Sequence, residues 1–223
     1  MAKAPQPGRV KTRMTPPLTP QRAAELYRSM LTDTVRLARY AGIDVAAMVP
    51  ASDAAEVAAF LEPGVEVVAQ SGRGLADALT AVFDTFAARG ITRIVAVDSD
   101  SPTLPRQQLL AAFDLLDTCE VVLGPTPDGG YYLVGARQPH PGLFAPSTTG
   151  TPSARRAVEE AAAALGLSCS LADEWYDVDS AGDLLRLNGD LQDDPAKAPA
   201  TAALLASWAA DPRLAKLLAG AGE

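Results

Sequence analysis

Two acidic residues close to one predicted strand could bind a cation. Asp98 and Asp100 follow the strongly apolar segment 93–97, in the order Val97-Asp98-Ser99-Asp100-Ser101-Pro102. A hard divalent cation prefers oxygen ligands of this kind. The same residue types also form a tight turn and a helix N-cap. Because the preceding strand is the most apolar in the chain, we favour the cation site.

A second acidic pair, Asp177 and Asp179, flanks Val178. Side chains alternate along an extended segment, so both carboxylates should lie on one side of it. Ser180 and Asp183 resemble a capping box at the start of a helix. That interpretation accounts for Ser180 and Asp183 but leaves the acidic pair free for another role.

The first thirteen residues form a basic loop that contains no acid. Lys11 and Arg13 are suited to donate hydrogen bonds to phosphate oxygens, and Gly8 would let the backbone approach a ligand. The Gly–Lys spacing differs from that of a P-loop. Taken alone, the segment is better explained as a solvated basic arm.

A glycine loop follows the fourth predicted strand, in the order Gly124-Pro125-Thr126-Pro127-Asp128-Gly129-Gly130-Tyr131-Tyr132. Gly129 and Gly130 offer a backbone that a ligand can approach, and Asp128 could accept hydrogen bonds from sugar hydroxyls. Asp-Gly is also a common hairpin turn. Each of these segments has a structural alternative, but together they predict a metal–nucleotide site.

Periodicity predicts that helices and strands alternate along the chain. A helix should begin after Thr19, with Pro20 at its first position, and end near Gly42. We predict strands at 43–49, 65–69, 93–97, 120–123, 131–136 and 168–171. A second helix is predicted to begin at Ser52-Asp53 and to stop before Pro63-Gly64, and further helices are predicted to span 74–89, 105–118, 153–165 and 180–191.

This alternation indicates an α/β fold with a mostly parallel central sheet. Ligands bind outside the carboxyl ends of the strands in such sheets, which points to the loops 98–105, 124–130 and 172–180. We expect residues 1–191 to form this domain and residues 192–223 a C-terminal helical extension. The extension could pack on the domain or on a second copy in a homodimer.

Composition excludes several classes of function. The net charge of −8 argues against nucleic-acid binding. No segment approaches the roughly 20 apolar residues of a membrane helix, and no signal peptide is evident, so we expect a cytoplasmic protein. The separated Cys119 and Cys169 fit reduced thiols, and a single histidine, His140, excludes multi-histidine metal sites and most Ser/Cys–His triads.

Four segments in order resemble the arsenosugar-biosynthesis-type glycosyltransferase family of the nucleotide-diphospho-sugar transferase superfamily. They are Ala2-Lys3-Ala4-Pro5…Pro7-Gly8-Arg9-Val10-Lys11-Thr12-Arg13, Ser99-Asp100-Ser101-Pro102, Gly124-Pro125…Asp128-Gly129-Gly130-Tyr131-Tyr132-Leu133-Val134-Gly135 and Asp177-Val178-Asp179-Ser180…Asp183-Leu184. The resemblance covers about residues 2–187. It implies a GT-A Rossmann-like fold, a three-layer sandwich.

The Lys-Thr-Arg loop and the Asp-Val-Asp motif also resemble the phospholactate and phosphoenolpyruvate guanylyltransferases. That resemblance implies that Asp100, Asp177 and Asp179 hold Mg²⁺ or Mn²⁺, with Lys11 and Arg13 on the phosphates. Asp98 stands where the arsenosugar-type family usually has glycine, so it is either a fourth metal ligand or an incidental acid. Gly74–Ala78 replaces the family's Asp-Leu-Gly-Glu-Arg segment, and there we assign Gly74 to substrate binding.

The sequence therefore predicts a metal-dependent transferase with a nucleotide-activated donor. The leading hypothesis is glycosyl transfer from an NDP-sugar to a small-molecule acceptor. One alternative is a nucleotidyltransferase that joins an NTP to a phosphorylated small molecule and releases pyrophosphate. Another is a non-catalytic domain that binds nucleotide sugars. The predicted catalytic residues are Asp100, Lys11 and Arg13, and the predicted substrate-binding residues are Lys3, Gly8, Lys11, Arg13, Gly74, Asp128, Gly129 and Gly130.

The resemblance also implies an apolar strand directly before the Ala-Lys-Ala-Pro loop, where Met1 stands. Without that strand, both neighbouring strands would leave backbone groups unpaired. We therefore expect an upstream start, or another segment that fills the position.

Overall fold

The computed structural model of the protein describes residues 1–220. Its strands are β1 (Ala46–Pro50), β2 (Glu66–Gln70), β3 (Ile94–Val97), β4 (Val121–Pro125), β5 (Tyr131–Ala136) and β6 (Cys169–Leu171). Its α-helices are α1 (Pro20–Tyr40), α2 (Ala54–Ala58), α3 (Gly74–Ala87), α4 (Arg106–Leu115), α5 (Ala154–Ala164), α6 (Ala181–Asp193), α7 (Pro199–Trp208) and α8 (Pro212–Leu218).

The longest helix begins and ends where its sequence predicts. The Thr19 hydroxyl accepts a hydrogen bond from the backbone N–H of Arg22, at 3.3 Å, and Pro20 occupies the first helical position. The helix ends at Tyr40, just before Gly42, whose φ of 76° lies in the left-handed region. The apolar face of α1, including Leu26 and Met30, is buried.

The strands form two sheets, although a single central sheet was expected. β1 and β2 pair in parallel, and the second sheet has the order β3-β5-β4-β6. β4 and β6 are parallel, whereas β5 is antiparallel to both β3 and β4. Hence β3, β4 and β6 run in one direction and only β5 opposes them.

Helices cover both faces of the four-stranded sheet. Leu109 and Leu116, from α4 and the residue that follows it, pack with Val122 and Leu133 on one face. Residues of α3 and α5 pack with Ile94, Val121 and Val134 on the other face. This arrangement confirms the predicted α/β three-layer sandwich.

The C-terminal helices lie against α1 and α6. Trp208 of α7 and Leu214 of α8 are buried in the same core as Leu26 and Leu187. The Asn188 side-chain amide donates to the Leu218 carbonyl oxygen, at 3.2 Å. Within residues 1–220, no helix has the length and apolar character needed to cross a membrane.

The second helix is shorter than predicted, because Ser52 and Asp53 lie in a 3₁₀ turn and α2 covers only Ala54–Ala58. Asp53 was expected to open this helix, but its side chain makes no capping hydrogen bond there. Instead, Asp53 accepts from the backbone N–H of Ala4, at 2.9 Å, and so fastens the basic loop to the domain.

Candidate functional site

A cavity of about 620 Å³ opens beside the carboxyl ends of β2 and β3. It gathers seven of the predicted site residues, namely Lys3, Lys11, Arg13, Gly74, Asp98, Asp100 and Asp179. The other five do not line it: Gly8, Asp128, Gly129, Gly130 and Asp177. The basic loop, the first acidic pair and Asp179 of the second pair therefore contribute to one region, while the glycine loop lies outside the cavity.

Lys11 joins the two acidic segments. Its Nζ lies 2.9 Å from Asp100 Oδ1 and 2.7 Å from Asp179 Oδ1, and its side chain is only 3% exposed. Burial alone would lower the pKa of Lys11, but the two carboxylates outweigh that effect and raise its pKa. The ammonium is therefore charged at neutral pH and neutralises a pair of carboxylates from distant parts of the chain.

The backbone of Lys11 has a strained, left-handed conformation. With φ of 48° and ψ of 40°, Lys11 is the one non-glycine residue with positive φ among residues 1–220. It precedes the 3₁₀ turn Thr12–Met14, whose Met14 is fully buried. Such strain persists only where the surrounding contacts hold it, and here the two carboxylates and the Met14 anchor do so.

The turn after β3 is shaped by Asp98. Its Oδ1 accepts from the backbone N–H of Asp100, at 3.0 Å, and its Oδ2 accepts from the Ser101 hydroxyl, at 3.2 Å. Burial, and then the charge of the nearby Asp100 carboxylate, raise the pKa of Asp98 to about 8. The turn interpretation is thus correct for Asp98, and the same turn presents Asp100 to the cavity.

The second acidic pair is fixed to this turn through the backbone. The N–H of Val178 donates to the Asp100 carbonyl oxygen, at 2.9 Å, and the Val178 side chain is fully buried. Burial, and then the charge of Asp179, raise the pKa of Asp177 to about 6. Ser180 and Asp183 form the predicted capping box at the start of α6.

The donor atoms of this region are of the type that a divalent cation prefers. Among residues 1–220, Asp100 Oδ1 is buried, accepts no hydrogen bond and makes only the ion pair with Lys11. Burial, and then neighbouring carboxylates, raise the pKa values of Asp98 and Asp177, and oxygen donors of this kind suit Mg²⁺ or Mn²⁺. As arranged here, however, residues 1–220 contain no group of three or more acidic, His or Cys side chains close enough to hold a metal.

The glycine loop satisfies its own polar groups. Asp128 Oδ1 accepts hydrogen bonds from the Thr126 hydroxyl and from the Gly130 N–H, and these bonds lower the pKa of Asp128. Gly129 has φ of 91°, and a Cβ there would lie 2.0 Å from the Pro152 carbonyl oxygen. The loop therefore requires these residues for its own conformation, and their contact with substrate stays a prediction.

One residue that the sequence did not single out, Tyr27, supports the site. The Tyr27 hydroxyl on α1 accepts from the Lys3 N–H, at 2.9 Å, and bonds to the Ser99 hydroxyl, also at 2.9 Å. Burial and the Asp100 charge raise the pKa of Tyr27 to about 12, so it stays neutral. The position of Tyr27 on the apolar face of a regular helix predicts packing in the core, but it does not indicate a role in the site.

The fold is a Rossmann-like α/β sandwich, the architecture that nucleotide-diphospho-sugar transferases also have. The family model described as "Uncharacterized protein conserved in bacteria (DUF2064)" matches residues 33–151. The chain belongs to this family.

A crystal structure from Desulfovibrio desulfuricans G20, provisionally named a nucleotide-diphospho-sugar transferase, has 27% sequence identity to the chain and a TM-score of 0.87. The match covers 99% of this chain and 95% of that one. The homolog of Mycobacterium tuberculosis Rv0371c from Mycobacterium sp. strain JC1 has 18% identity and a TM-score of 0.50, over 74% and 83% of the two chains, and supports the fold alone. No curated protein is significantly similar to the chain.

Proposed function

We propose that the protein is a glycosyltransferase of the arsenosugar-biosynthesis type, which moves a sugar from an NDP-sugar to a small-molecule acceptor with Mg²⁺ or Mn²⁺. The observation that supports this most is the junction of Lys11, Asp100 and Asp179, where a basic loop meets two acidic strand ends. The similarity to the Desulfovibrio protein favours a sugar-nucleotide donor over other anionic ligands.

In this proposal the acidic side chains hold the cation and the basic loop holds the donor. Asp100, Asp177 and Asp179 would be metal ligands, with Asp98 as a candidate fourth. The metal, when bound, supplies positive charge that neutralises the diphosphate and stabilises the leaving group. Lys11, released from its two carboxylates as they bind metal, would then donate to a phosphate oxygen.

The remaining residues position the donor. Arg13 is 75% exposed and lies at the rim of the cavity, 3.4 Å from Asp179, where it can turn toward a phosphate. Gly74 begins α3 with φ of 80° and has open space where a Cβ would be, so a ligand can approach its backbone. An acceptor hydroxyl would attack the anomeric carbon and release its proton to solvent, and the NDP would leave with the electrons of the broken C–O bond.

One observation favours nucleotidyl transfer as the second candidate. Four cations of the N-terminal loop line the cavity: Lys3, Arg9, Lys11 and Arg13. A triphosphate carries more negative charge than a diphosphate and would draw on more of them. In that reaction a phosphorylated acceptor would attack the α-phosphate of an NTP, and pyrophosphate would leave.

A ligand screen with product analysis tests the proposal. The melting temperature would be measured with NTPs, NDPs and NDP-sugars, each with and without Mg²⁺ or Mn²⁺, because a ligand that binds the native state raises it. We expect the largest metal-dependent rise with an NDP-sugar, and release of the matching NDP when acceptors are added. Pyrophosphate release from an NTP would give first place to nucleotidyl transfer, and metal-dependent binding without turnover would indicate the non-catalytic domain.

A further inference from the structure

The basic loop neutralises the two carboxylates at the centre of the candidate site. Lys11 Nζ lies 2.9 Å from Asp100 Oδ1 and 2.7 Å from Asp179 Oδ1. Arg13 Nη1 lies 3.4 Å from Asp179 Oδ2. Two positive charges therefore face two negative charges, so these four side chains carry no net charge together. A divalent cation is attracted by uncompensated negative charge, and Asp100 and Asp179 offer none while the basic loop is paired with them.

Lys11 also stands between the two carboxylates. Asp100 Oδ1 is buried and, among residues 1–220, its one partner is this ammonium. The Lys11 side chain is only 3% exposed, so water solvates it little. A cation that bridged the same two carboxylate oxygens would have to displace the ammonium from both ion pairs. Removal of one partner from a buried ion pair is costly, so the displaced ammonium needs a new anionic partner.

The backbone around Lys11 is held in place, so the side chain must make this exchange. Asp53 accepts from the Ala4 N–H, at 2.9 Å, and its Oδ1 lies 3.3 Å from Arg9 Nη2. After Lys11 in the chain, the fully buried Met14 donates its N–H to the Lys11 carbonyl oxygen, at 3.0 Å. Lysine carries a compact charge on a flexible four-carbon chain. Because Lys11 lines the cavity, its ammonium can turn toward a ligand there while the loop stays fixed.

We propose that Lys11 is an internal cation that couples metal binding to phosphate binding. In the free protein it pairs with Asp100 and Asp179, and a divalent cation alone binds weakly because it must leave the ammonium without a partner. A diphosphate group supplies that partner, since the Lys11 ammonium can move to a phosphate oxygen and free both carboxylates. Metal and diphosphate therefore bind together more tightly than either binds alone, and each raises the affinity for the other by the same factor.

This proposal rests on one part of the proposed function, namely that Asp100 and Asp179 are metal ligands. It does not depend on whether the donor is an NDP-sugar or an NTP, because both present a diphosphate group. It implies that the metal enters the site with the donor and leaves with the nucleotide or pyrophosphate product.

Calorimetric titrations with Mn²⁺ alone and with the Mn²⁺–pyrophosphate complex test the coupling. The variant is Lys11→Met, which keeps a long side chain without the charge. The matched control is Lys197→Met, at an exposed lysine whose side chain makes no ion pair among residues 1–220. In the parent protein and the control, we expect the complex to bind at least about tenfold more tightly than Mn²⁺ alone, a factor within the usual range of coupling.

Lys11→Met should change the two affinities in opposite directions. Mn²⁺ alone should bind the variant at least about tenfold more tightly than it binds the parent protein, which corresponds to about 1.4 kcal/mol. The complex should bind the variant more weakly, because the phosphate loses its lysine. A residue that only supported the structure of the site would weaken both when lost.

The proposal is overturned if Lys11→Met binds Mn²⁺ alone no more tightly than the parent protein does, or if the parent protein binds the complex no more tightly than Mn²⁺ alone. Either result leaves the cation site of the proposed function standing. If neither protein binds Mn²⁺ with or without pyrophosphate, the cation site and this proposal both fail. If Lys11→Met is unfolded without ligand, Mn²⁺ alone must restore the circular dichroism spectrum of the parent protein, or the proposal fails.

Discussion

Lys11 holds the candidate site together in the absence of any ligand. Two carboxylates brought within 3 Å of one ammonium, at 2.9 and 2.7 Å, would repel each other without it. A divalent cation and Lys11 would therefore compete for Asp100 and Asp179. In the proposed mechanism, this competition would let Lys11 stabilise the free protein and also bind the phosphates of a donor.

Asp100→Asn and Asp179→Asn should each lower transfer activity by about a hundredfold or more, because each removes one negative charge from the cation site. Asp100 and Asp179 are 28% and 38% exposed, so the fold should persist, with a melting temperature close to that of the parent protein. Activity is measured as NDP or pyrophosphate release across a Mg²⁺ or Mn²⁺ titration.

Asp193→Asn is the matched control, because Asp193 is exposed at the end of α6 and makes no side-chain hydrogen bond or ion pair among the described residues. Its activity should equal that of the parent protein. Near-normal turnover and metal dependence in both site variants would show that the carboxylates are assigned to the wrong role.

Sequence reasoning predicted which charged residues would meet but not how they pair. Asp100 and Asp179 could be singled out because strand ends and alternation place carboxylates there. The pairing of these carboxylates with Lys11 could not be predicted, because it depends on a left-handed backbone conformation at Lys11. Glycine or asparagine at that position would have indicated such a conformation, but lysine does not. Asp53 was misjudged for a similar reason, since its partner Ala4 lies 49 residues away.

At the scale of elements, α7 takes its N-terminal cap from another helix. The preceding residue, Ala198, has no capping side chain. Asp33 of α1, only 2% exposed, accepts from the Ala200 N–H, the Thr201 N–H and the Thr201 hydroxyl, at 3.0, 2.7 and 2.7 Å. The carboxylate therefore fastens the C-terminal helices to the domain.

Asp33→Ala should lower the free energy of unfolding by about 2–4 kcal/mol, because it leaves buried donors of α7 without an acceptor. Urea unfolding followed by circular dichroism measures the change. Asp193→Ala, the exposed control, should stay within about 0.5 kcal/mol of the parent protein. Equal midpoints for Asp33→Ala and the control would show that α7 does not depend on this cap.

Periodicity identified the type and order of the elements because the apolar spacing switches clearly between helix and strand. β5 matches its predicted range of 131–136, whereas α2 is shorter than expected because the chain turns to let Asp53 reach the basic loop. The cap of α7 by Asp33 was beyond sequence reasoning, since the partners lie 167 and 168 residues apart.

At the scale of the whole molecule, negative charge is concentrated where the strands end. The chain has a net charge of −8, and burial together with neighbouring carboxylates raises the pKa of Asp98 to about 8 and of Asp177 to about 6. In the unfolded chain both would titrate near 3.8. The folded protein therefore binds more protons at these two carboxyls than the unfolded chain does between about pH 4 and pH 8. Their contribution to the free energy of unfolding falls as the pH rises through this range.

Asp98→Asn should remove part of this pH dependence. Asparagine keeps an acceptor for the Asp100 N–H but carries no proton to lose, so the variant should gain stability relative to the parent protein as the pH rises from 5 to 8. We expect a gain of at least about 1.4 kcal/mol over this range, which corresponds to one pKa unit. Urea unfolding in the presence of EDTA measures it, because a bound metal would stabilise the carboxylates.

The comparison with the parent protein is essential, because burial lowers the pKa of the His140 imidazole and of the Met1 amine, and both groups oppose the slope that Asp98 produces. The His140 imidazole responds to burial and Glu120, so it should titrate alike in the two proteins. The Met1 amine also responds to the charge of Asp98, so the difference between the two proteins reports the Asp98 carboxyl together with its coupling to Met1. Asp193→Asn should follow the parent protein at every pH. If Asp98→Asn also runs parallel to the parent protein from pH 5 to pH 8, the Asp98 carboxyl is ionised throughout and its pKa is not raised.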